Sequence, residues 1–253
     1  MATNISRRRW LAIAAALPLG SMSLVQGPTR AVAAPGHRAS RLASAPGTIS
    51  KQLVAVTSER RLFVRDPVPQ DVNWRDVGHA NDVVGIAYLG GLLWAATTDN
   101  RIWVRPPITP EINWAPSNQT DHPITALTAA DGRLWALTTN QRLEVLNPSN
   151  ATAWTDVGAA PSATVTAITA LNGRIWATTT TNELWWRSTM LTSANWTKAG
   201  HTPNGVTAQA ALGGYLWAAT TDNGLWRRSS STIDVSWTPV GHAIHVTEMT
   251  AVP

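Results

Sequence analysis

The sequence predicts an all-β ring: a five-bladed β-propeller of four-stranded antiparallel blades, closed by a C-terminal strand that completes the first blade. Three observations predict it. A core centred on Leu-Trp-Ala recurs with anchors at Leu53, Leu93, Leu134, Ile175 and Leu216, in steps of 40, 41, 41 and 41 residues, a period that marks a repeat architecture. A second marker, Trp74, Trp114, Trp154, Trp196 and Trp237, runs in phase with it. The repeat is also out of phase with the chain ends, so the last copy supplies what the first one lacks.

Before the ring come an address and a spacer. Residues 1–33 read as an export signal: Ser6-Arg7-Arg8-Arg9-Trp10-Leu11 resembles a twin-arginine motif, LAIAAALPLG (11–20) is the apolar run, and Ala31-Val32-Ala33 is the small-residue cleavage site. That run falls far short of the ~20 apolar residues that span a bilayer, so no membrane span is expected. Residues 34–49, rich in Pro, Ala, Ser and Gly, read as a disordered linker. The expected protein is therefore secreted, with its folded domain at 50–253.

Within that domain each unit holds four short apolar runs, called strands a to d. In the fourth unit they are 165–171, 174–180, 183–187 and 194–200. The runs are rich in Val, Ile, Thr and Trp and broken by Gly, Asn and Pro, which favours strands over helices. A repeated four-stranded unit of this length is a propeller blade. Strand a recurs at Val83, Ile124, Val165, Val206 and Val246. The last copy (246–252) has no strand b after it, and the first strand b (52–57) has no strand a before it. Pairing the two closes a ring of five and removes two exposed sheet edges. Both faces of strand b carry apolar or small residues, as expected where neighbours cover each blade.

Composition narrows the function. The chain has no Cys, hence no disulfide framework and no thiolate metal site. Removing the four arginines of the leader takes the formal +5 to +1, and the two of the linker leave the ring at −1. Its basic residues are spread among the blades, mostly at the end of strand c (Arg65, Arg105, Arg187, Arg227). Nucleic acid, which needs a concentrated basic surface, is not an expected partner. Thirteen of fourteen Trp fall in the ring. Those of mid-strand b (Trp94, Trp135, Trp176, Trp217) are expected in the core, while the strand-d set divides between core and surface. Trp185 and Trp186 are expected to face different environments.

In an up-and-down blade the b–c turn and the d–a crossover share one face of the ring. Polar clusters recur on both. The turns hold Asp99-Asn100, Asn140, Asn182 and Asp222-Asn223; the crossovers hold His79, His201 and His242 in Gly-His steps, with an irregular stretch at 116–122. Asp and Asn are ordinary turn residues, but their coincidence with a repeated His points to ligand sites. Each crossover travels to the next blade's inner strand. That pairs His79 with Asp99 and Asn100, His201 with Asp222 and Asn223, and His242 with Glu59 and Arg60. Ala159 replaces His in the crossover serving the fourth blade, so two strong sites are expected rather than five. The His residues stand a blade or more apart, and no metal site or cofactor is expected. No GxSxG, HExxH, GxGxxG or Walker signature is present. Glu144, Glu183 and Glu248 break the repeat without forming a carboxylate pair suited to glycoside hydrolysis; Glu248 is expected to line the central channel.

Gly-Tyr-Leu-Trp-Ala (214–218) running into Asp-Asn-Gly-Leu-Trp-Arg (222–227), with Arg-Pro-Pro (105–107) followed by Asn113-Trp114, resembles the repeat of the tachylectin group of five-bladed propeller lectins. A weaker likeness holds to tectonin-type propellers. The first resemblance covers about 50–253 and implies binding of N-acetylated amino sugars at one site per blade. The chain departs from it at the crossover, which reads VGHA instead of a Gly-rich segment ending in an aromatic. The expected function is thus a secreted, monomeric, multivalent, non-catalytic lectin whose partners are amino-sugar-containing glycans. A protein-interaction scaffold is the second expectation and a glycan-active propeller enzyme the third.

Overall fold

The computed structural model describes residues 51–107, 112–149, 153–161, 163–190 and 195–253. The expected export signal and linker lie outside the described residues. Twenty strands form five antiparallel four-stranded sheets. The first blade comprises β1 (Gln52–Thr57), β2 (Arg61–Arg65) and β3 (Arg75–His79), with β20 (Val246–Val252) as its inner strand. The second is β4 (Val83–Leu89), β5 (Leu92–Thr97), β6 (Arg101–Arg105) and β7 (Ala115–Gln119). The third is β8 (Ile124–Ala130), β9 (Arg133–Thr138), β10 (Arg142–Leu146) and β11 (Thr155–Ala159). The fourth is β12 (Val165–Leu171), β13 (Arg174–Thr179), β14 (Glu183–Ser188) and β15 (Thr197–His201). The fifth is β16 (Val206–Leu212), β17 (Tyr215–Thr220), β18 (Gly224–Ser229) and β19 (Thr238–His242).

Closure follows the expected register: β20 pairs with β1 from Gln52↔Val252 to Thr57↔Val246. The inner strands β4, β8, β12, β16 and β20 each touch the next, and β20 returns to β4. Among the described residues no helix is long and apolar enough to cross a membrane.

The core lies between blades, in five clusters, because a two-period strand offers alternate side chains to opposite neighbours. Leu93 of β5 packs with the first blade, while Trp94 and Ala96 pack towards the third. Trp135, Trp176 and Trp217 are 0%, 0% and 1% exposed; Trp94 is partly buried. Each buried indole withdraws ~150–250 Å² from water, so the strand-b tryptophans are the bulk of the inter-blade filling. Trp185 and Trp186 diverge as alternation demands. Trp186 packs into the cluster between the fourth and fifth blades, whereas the Trp185 indole donates to Glu183 at 3.2 Å.

Two bulges recur in all five blades and were not legible from apolar spacing. Between strands a and b the extra residue is Val84, Thr125, Thr166, Thr207 or Thr247. The four threonine hydroxyls donate to strand-b carbonyls at 3.3–3.5 Å, which satisfies a group the bulge leaves unpaired. Between strands c and d the extra residue is Val77, Ser117, Val157, Ala199 or Val240. This register also makes 115–119, which looked irregular in sequence, an ordinary strand d with Gln119 at the place of His79.

Candidate functional site

The b–c turns are built around one backbone conformation. Arg60, Asn100, Gln141, Asn182 and Asn223 all have φ between 56° and 64°, a left-handed position that Asn tolerates best among residues with a side chain. Their carbonyls accept from the end of strand d of the same blade, at Ala80, Thr120, Ala160, Thr202 and Ala243, at 2.8–2.9 Å. The side chains of the last three reach onward to the next crossover. Gln141 accepts from Val165 N at 2.8 Å, Asn182 from Gly205 N at 3.2 Å and Asn223 from His245 N at 2.9 Å. The amides of Asn182 and Asn223 thus tie consecutive blades. Asn140 and Thr181, not Gln141 and Asn182, occupy the place of Asp99 in the third and fourth blades; Asn140 is exposed.

The carboxylates preceding this position are held by the strand-b threonine. Thr97 Oγ1 donates to Asp99 Oδ1 at 2.5 Å and Thr220 Oγ1 to Asp222 Oδ1 at 2.5 Å. Those hydrogen bonds hold both carboxyls below the usual carboxylate range. Both side chains are exposed. In the second blade the chain of bonds extends to the Trp103 indole, which donates to Thr97 Oγ1 at 3.2 Å.

Two of the three Gly-His steps are held by a carboxylate of the next blade. His242 receives Asp71 of the next blade twice: its backbone N donates to Oδ1 at 3.2 Å and its Nδ1 stands 2.7 Å from Oδ2. His201 meets Asp234 in the same way, at 3.3 and 3.2 Å. The histidine contact, chiefly the side-chain hydrogen bond, holds both carboxyls below their ordinary value. The preceding glycine is required twice over. Gly241 has φ 134°, and a Cβ there would stand 2.4 Å from Asp71 Oδ1; a Cβ on Gly200 would stand 2.0 Å from Asp234 Oδ1. His79 instead faces Arg61 of its own blade, whose Nη1 lies 3.0 Å from Nε2. The sequence signal for this latch is an Asp three places before the strand-d Trp.

That Trp completes the seam. Trp74, Trp114, Trp196 and Trp237 donate from Nε1 to the carbonyls of His242, His79, Ala159 and His201 in the preceding blade, at 2.8–2.9 Å. Beneath them lie the guanidiniums of Arg65, Arg105, Arg187 and Arg228, 5.5–6.0 Å from the ring centroids, within cation–π range. The arginine equivalent to the first three is Arg228, paired with Leu216 and 2% exposed. Arg227 lies on the other side, over Tyr215 and Trp217. Arg105 and Arg187 also donate to the bulge carbonyls of Val77 and Val157. The third blade lacks this device. Leu146 replaces the Arg, and Glu144 replaces the strand-c aromatic and meets His122 at 2.7 Å.

Between these seams and the turns open three equivalent clefts. One, of about 440 Å³, brings together His79, Asp99, Trp103, Asn113 and Trp114. A second, of about 430 Å³, holds His242, Glu59, Phe63, Asn73 and Trp74. The third, of about 440 Å³, holds Asn204, Asp222, Trp226, Ser236 and Trp237. Each contains a half-buried strand-c aromatic, the strand-d Trp beside it and a turn carboxylate at its edge. The structure therefore places His79 with Asp99, and His242 with Glu59. His201 is joined to Asp234, while Asp222 lies in the third cleft beside Trp237. Asn100, Asn182 and Asn223 act in the turns. The strand-c aromatics Phe63, Trp103 and Trp226 were missed in sequence, although their recurrence two residues before the strand-c Arg marked them. Among the described residues no group of three or more His, Cys, Asp or Glu is placed to hold a metal.

No family model matches the chain, and no curated protein matches it. Among solved structures, a chain in the crystal structure of a nidogen/laminin complex aligns with a TM-score of 0.55 and 8% identity, over 80% of this chain and 98% of that one. At that identity the likeness speaks for the propeller fold alone. The computationally designed Ika4 protein aligns at a TM-score of 0.40 and 13% identity, over 61% of this chain and 94% of its own, too distant to bear on the fold.

Proposed function

We propose that the protein is a multivalent, non-catalytic carbohydrate-binding propeller of the tachylectin type, exported by a twin-arginine signal. The observation that supports this is the recurrence of one cleft at three blade junctions, each with an aromatic floor beside a turn carboxylate. An indole face covers the apolar C–H face of a pyranose, and the sugar's hydroxyls need acceptors and donors at the rim. Asp99 and Asp222 engage Oδ1 with their threonines, which fixes each carboxylate; Asp99 Oδ2 also stands 3.4 Å from Arg101 Nε, and both exposed carboxylates keep lone pairs for a sugar hydroxyl. Asn113 or Ser236 stands across the cleft. Such shallow sites, few in contacts, are weak singly and rely on being repeated. The resemblance to tachylectins carries the choice of N-acetylated amino sugars.

The test is glycan-array binding, with inhibition by free monosaccharide, for the wild type and for a variant carrying Asp99→Ala and Asp222→Ala together. Binding to amino-sugar glycans, competed by N-acetylglucosamine and reduced at least tenfold in the folded double variant, is the expected result. Undiminished binding by that variant removes the clefts from consideration. A second reading, an extracellular protein-interaction scaffold, draws on the nidogen/laminin complex from which the fold neighbour comes; it predicts array binding to no glycan.

A further inference from the structure

The inner wall of the ring carries a group that the clefts do not use. On strand a, the residue that follows the bulge is Gly85, Ala126, Ala167 or Ala208 in four blades, opposite Ala96, Leu137, Thr178 and Ala219 of strand b. The closing strand β20 puts Glu248 there, opposite Val56. Glu248 lines a cavity of about 570 Å³ where the inner strands β20, β4 and β8 come together. Among the described residues nothing hydrogen-bonds to its carboxyl or pairs with it.

The rest of that wall mixes hydroxyls, from Thr57, Ser58, Thr98, Thr125, Thr139 and Thr247, with the apolar side chains of Val56, Val83, Val84, Pro123 and Ile124. Thr57, 8% exposed, has its Oγ1 buried without a partner. The other charged groups lining the cavity are Arg60 and Asp82, which face each other at 3.5 Å. Glu248 is therefore the unpaired carboxyl of a chamber whose wall alternates hydroxyls with apolar side chains. A half-buried carboxyl without a partner loses hydration for no compensating bond, and Ala at the same place completes three other blades.

We propose that this chamber binds the free amino group of an unacetylated amino sugar, with Glu248 as counter-ion to the ammonium and the Thr/Ser wall meeting the sugar hydroxyls. The volume accommodates a monosaccharide. An ammonium offers three donors to an acceptor-only carboxylate, and hydroxyls match hydroxyls in both roles. A lysine side chain would supply the charge but offer only methylenes to the hydroxyls of Ser58, Thr98 and Thr139. The chamber shares Thr57 with one cleft and Asp82, Val83 and Thr98 with another, but Glu248 belongs to neither, and the proposal does not rest on the reading given to them.

A proton linkage follows. Burial holds the Glu248 carboxyl well above its ordinary value, because desolvation disfavours the charged form. The strands packed on β20, namely β1, β4, β16 and β17, carry Tyr88 and Tyr215 as their only titratable side chains. An arriving ammonium favours the carboxylate, so a proton leaves Glu248 for the buffer. Affinity rises with pH as the cost of that ionisation falls, for as long as the ligand amine stays protonated.

The experiment is titration calorimetry of the full chain, and of Glu248→Gln and Glu248→Ala variants, with glucosamine, N-acetylglucosamine and Nα-acetyl-lysine. Glucosamine should bind the wild type with a heat that depends on the buffer's ionisation enthalpy, and at least tenfold more weakly to both variants. Nα-acetyl-lysine should bind at least tenfold more weakly than glucosamine, and the N-acetylglucosamine isotherm should be the same in all three proteins. Equal glucosamine affinity in wild type and Glu248→Ala overturns the proposal, as does tighter binding of the lysine derivative. Loss of N-acetylglucosamine binding in the Glu248 variants also overturns it, since the two sites would then be one.

Discussion

Gln209 breaks the pattern of the inner strands more sharply than any other buried residue. It sits opposite Ala218 on β16, where the other blades place Ile86, Leu127, Ile168 and Met249 opposite the matching Ala. It is 2% exposed, and among the described residues both of its amide atoms lack a partner. A buried amide without hydrogen bonds forfeits its hydration for nothing. Replacing Gln209 with Met, close in volume and already used in the closing blade, should therefore stabilise the ring by about 1–3 kcal/mol, read as a higher denaturant midpoint at unchanged slope. A lower midpoint would mean that the amide is satisfied in solution. The outlier is plain once the five repeats are aligned. Its lack of partners is not, because that depends on what two neighbouring blades place around it. The same division separates the histidines from their roles. The Gly-His recurrence was visible in sequence, but the carboxylates that hold His201 and His242 come from a residue about 30 positions on and from across the closure.

The closing strand shows how far the sequence carries at the level of elements. Strand identity came from β-branched and aromatic runs, blade number from the period, and closure from the phase of the ends; β20 pairs with β1 in that register. What the period could not give were the two bulges. They conserve the apolar pattern on either side while slipping the ladder by one residue. Nor could it give the Trp-to-carbonyl bonds that pin four of the seams. Deleting 246–253 should strip β1 of its inner partner and open the cluster in which Met249 and Val246 pack with Trp217 and Leu53. It also bares a strand edge prone to pairing with other chains. The expected result is a melting transition that is lower and broader than that of the full ring, with association at higher concentration. A truncated ring that melted as cooperatively and at the same temperature would mean that closure contributes nothing.

For the whole molecule, what matters is that the three clefts stand at fixed positions on one rigid scaffold. They fall at the junctions of the fifth blade with the first, the first with the second, and the fourth with the fifth. The third and fourth blades have lost parts of the same cleft: Glu144 stands for the aromatic in one, Thr181 for the carboxylate in the other. A ring with fixed, unequal sites does not bind a free sugar better than its best cleft does. On a dense glycan surface, however, each bound cleft holds the others at an effective concentration of order millimolar, which can multiply affinity ~10²–10⁴-fold. The proposed function therefore predicts a specific asymmetry. Asp99→Ala should remove one site from the monosaccharide stoichiometry and leave the remaining affinity unchanged. On immobilised glycan at high density the same substitution should shorten residence time tenfold or more, and at low density it should do little. Surface plasmon resonance at two glycan densities measures both. If residence time is independent of density in the wild type, the clefts do not act together, and the repetition of the blade serves the fold alone.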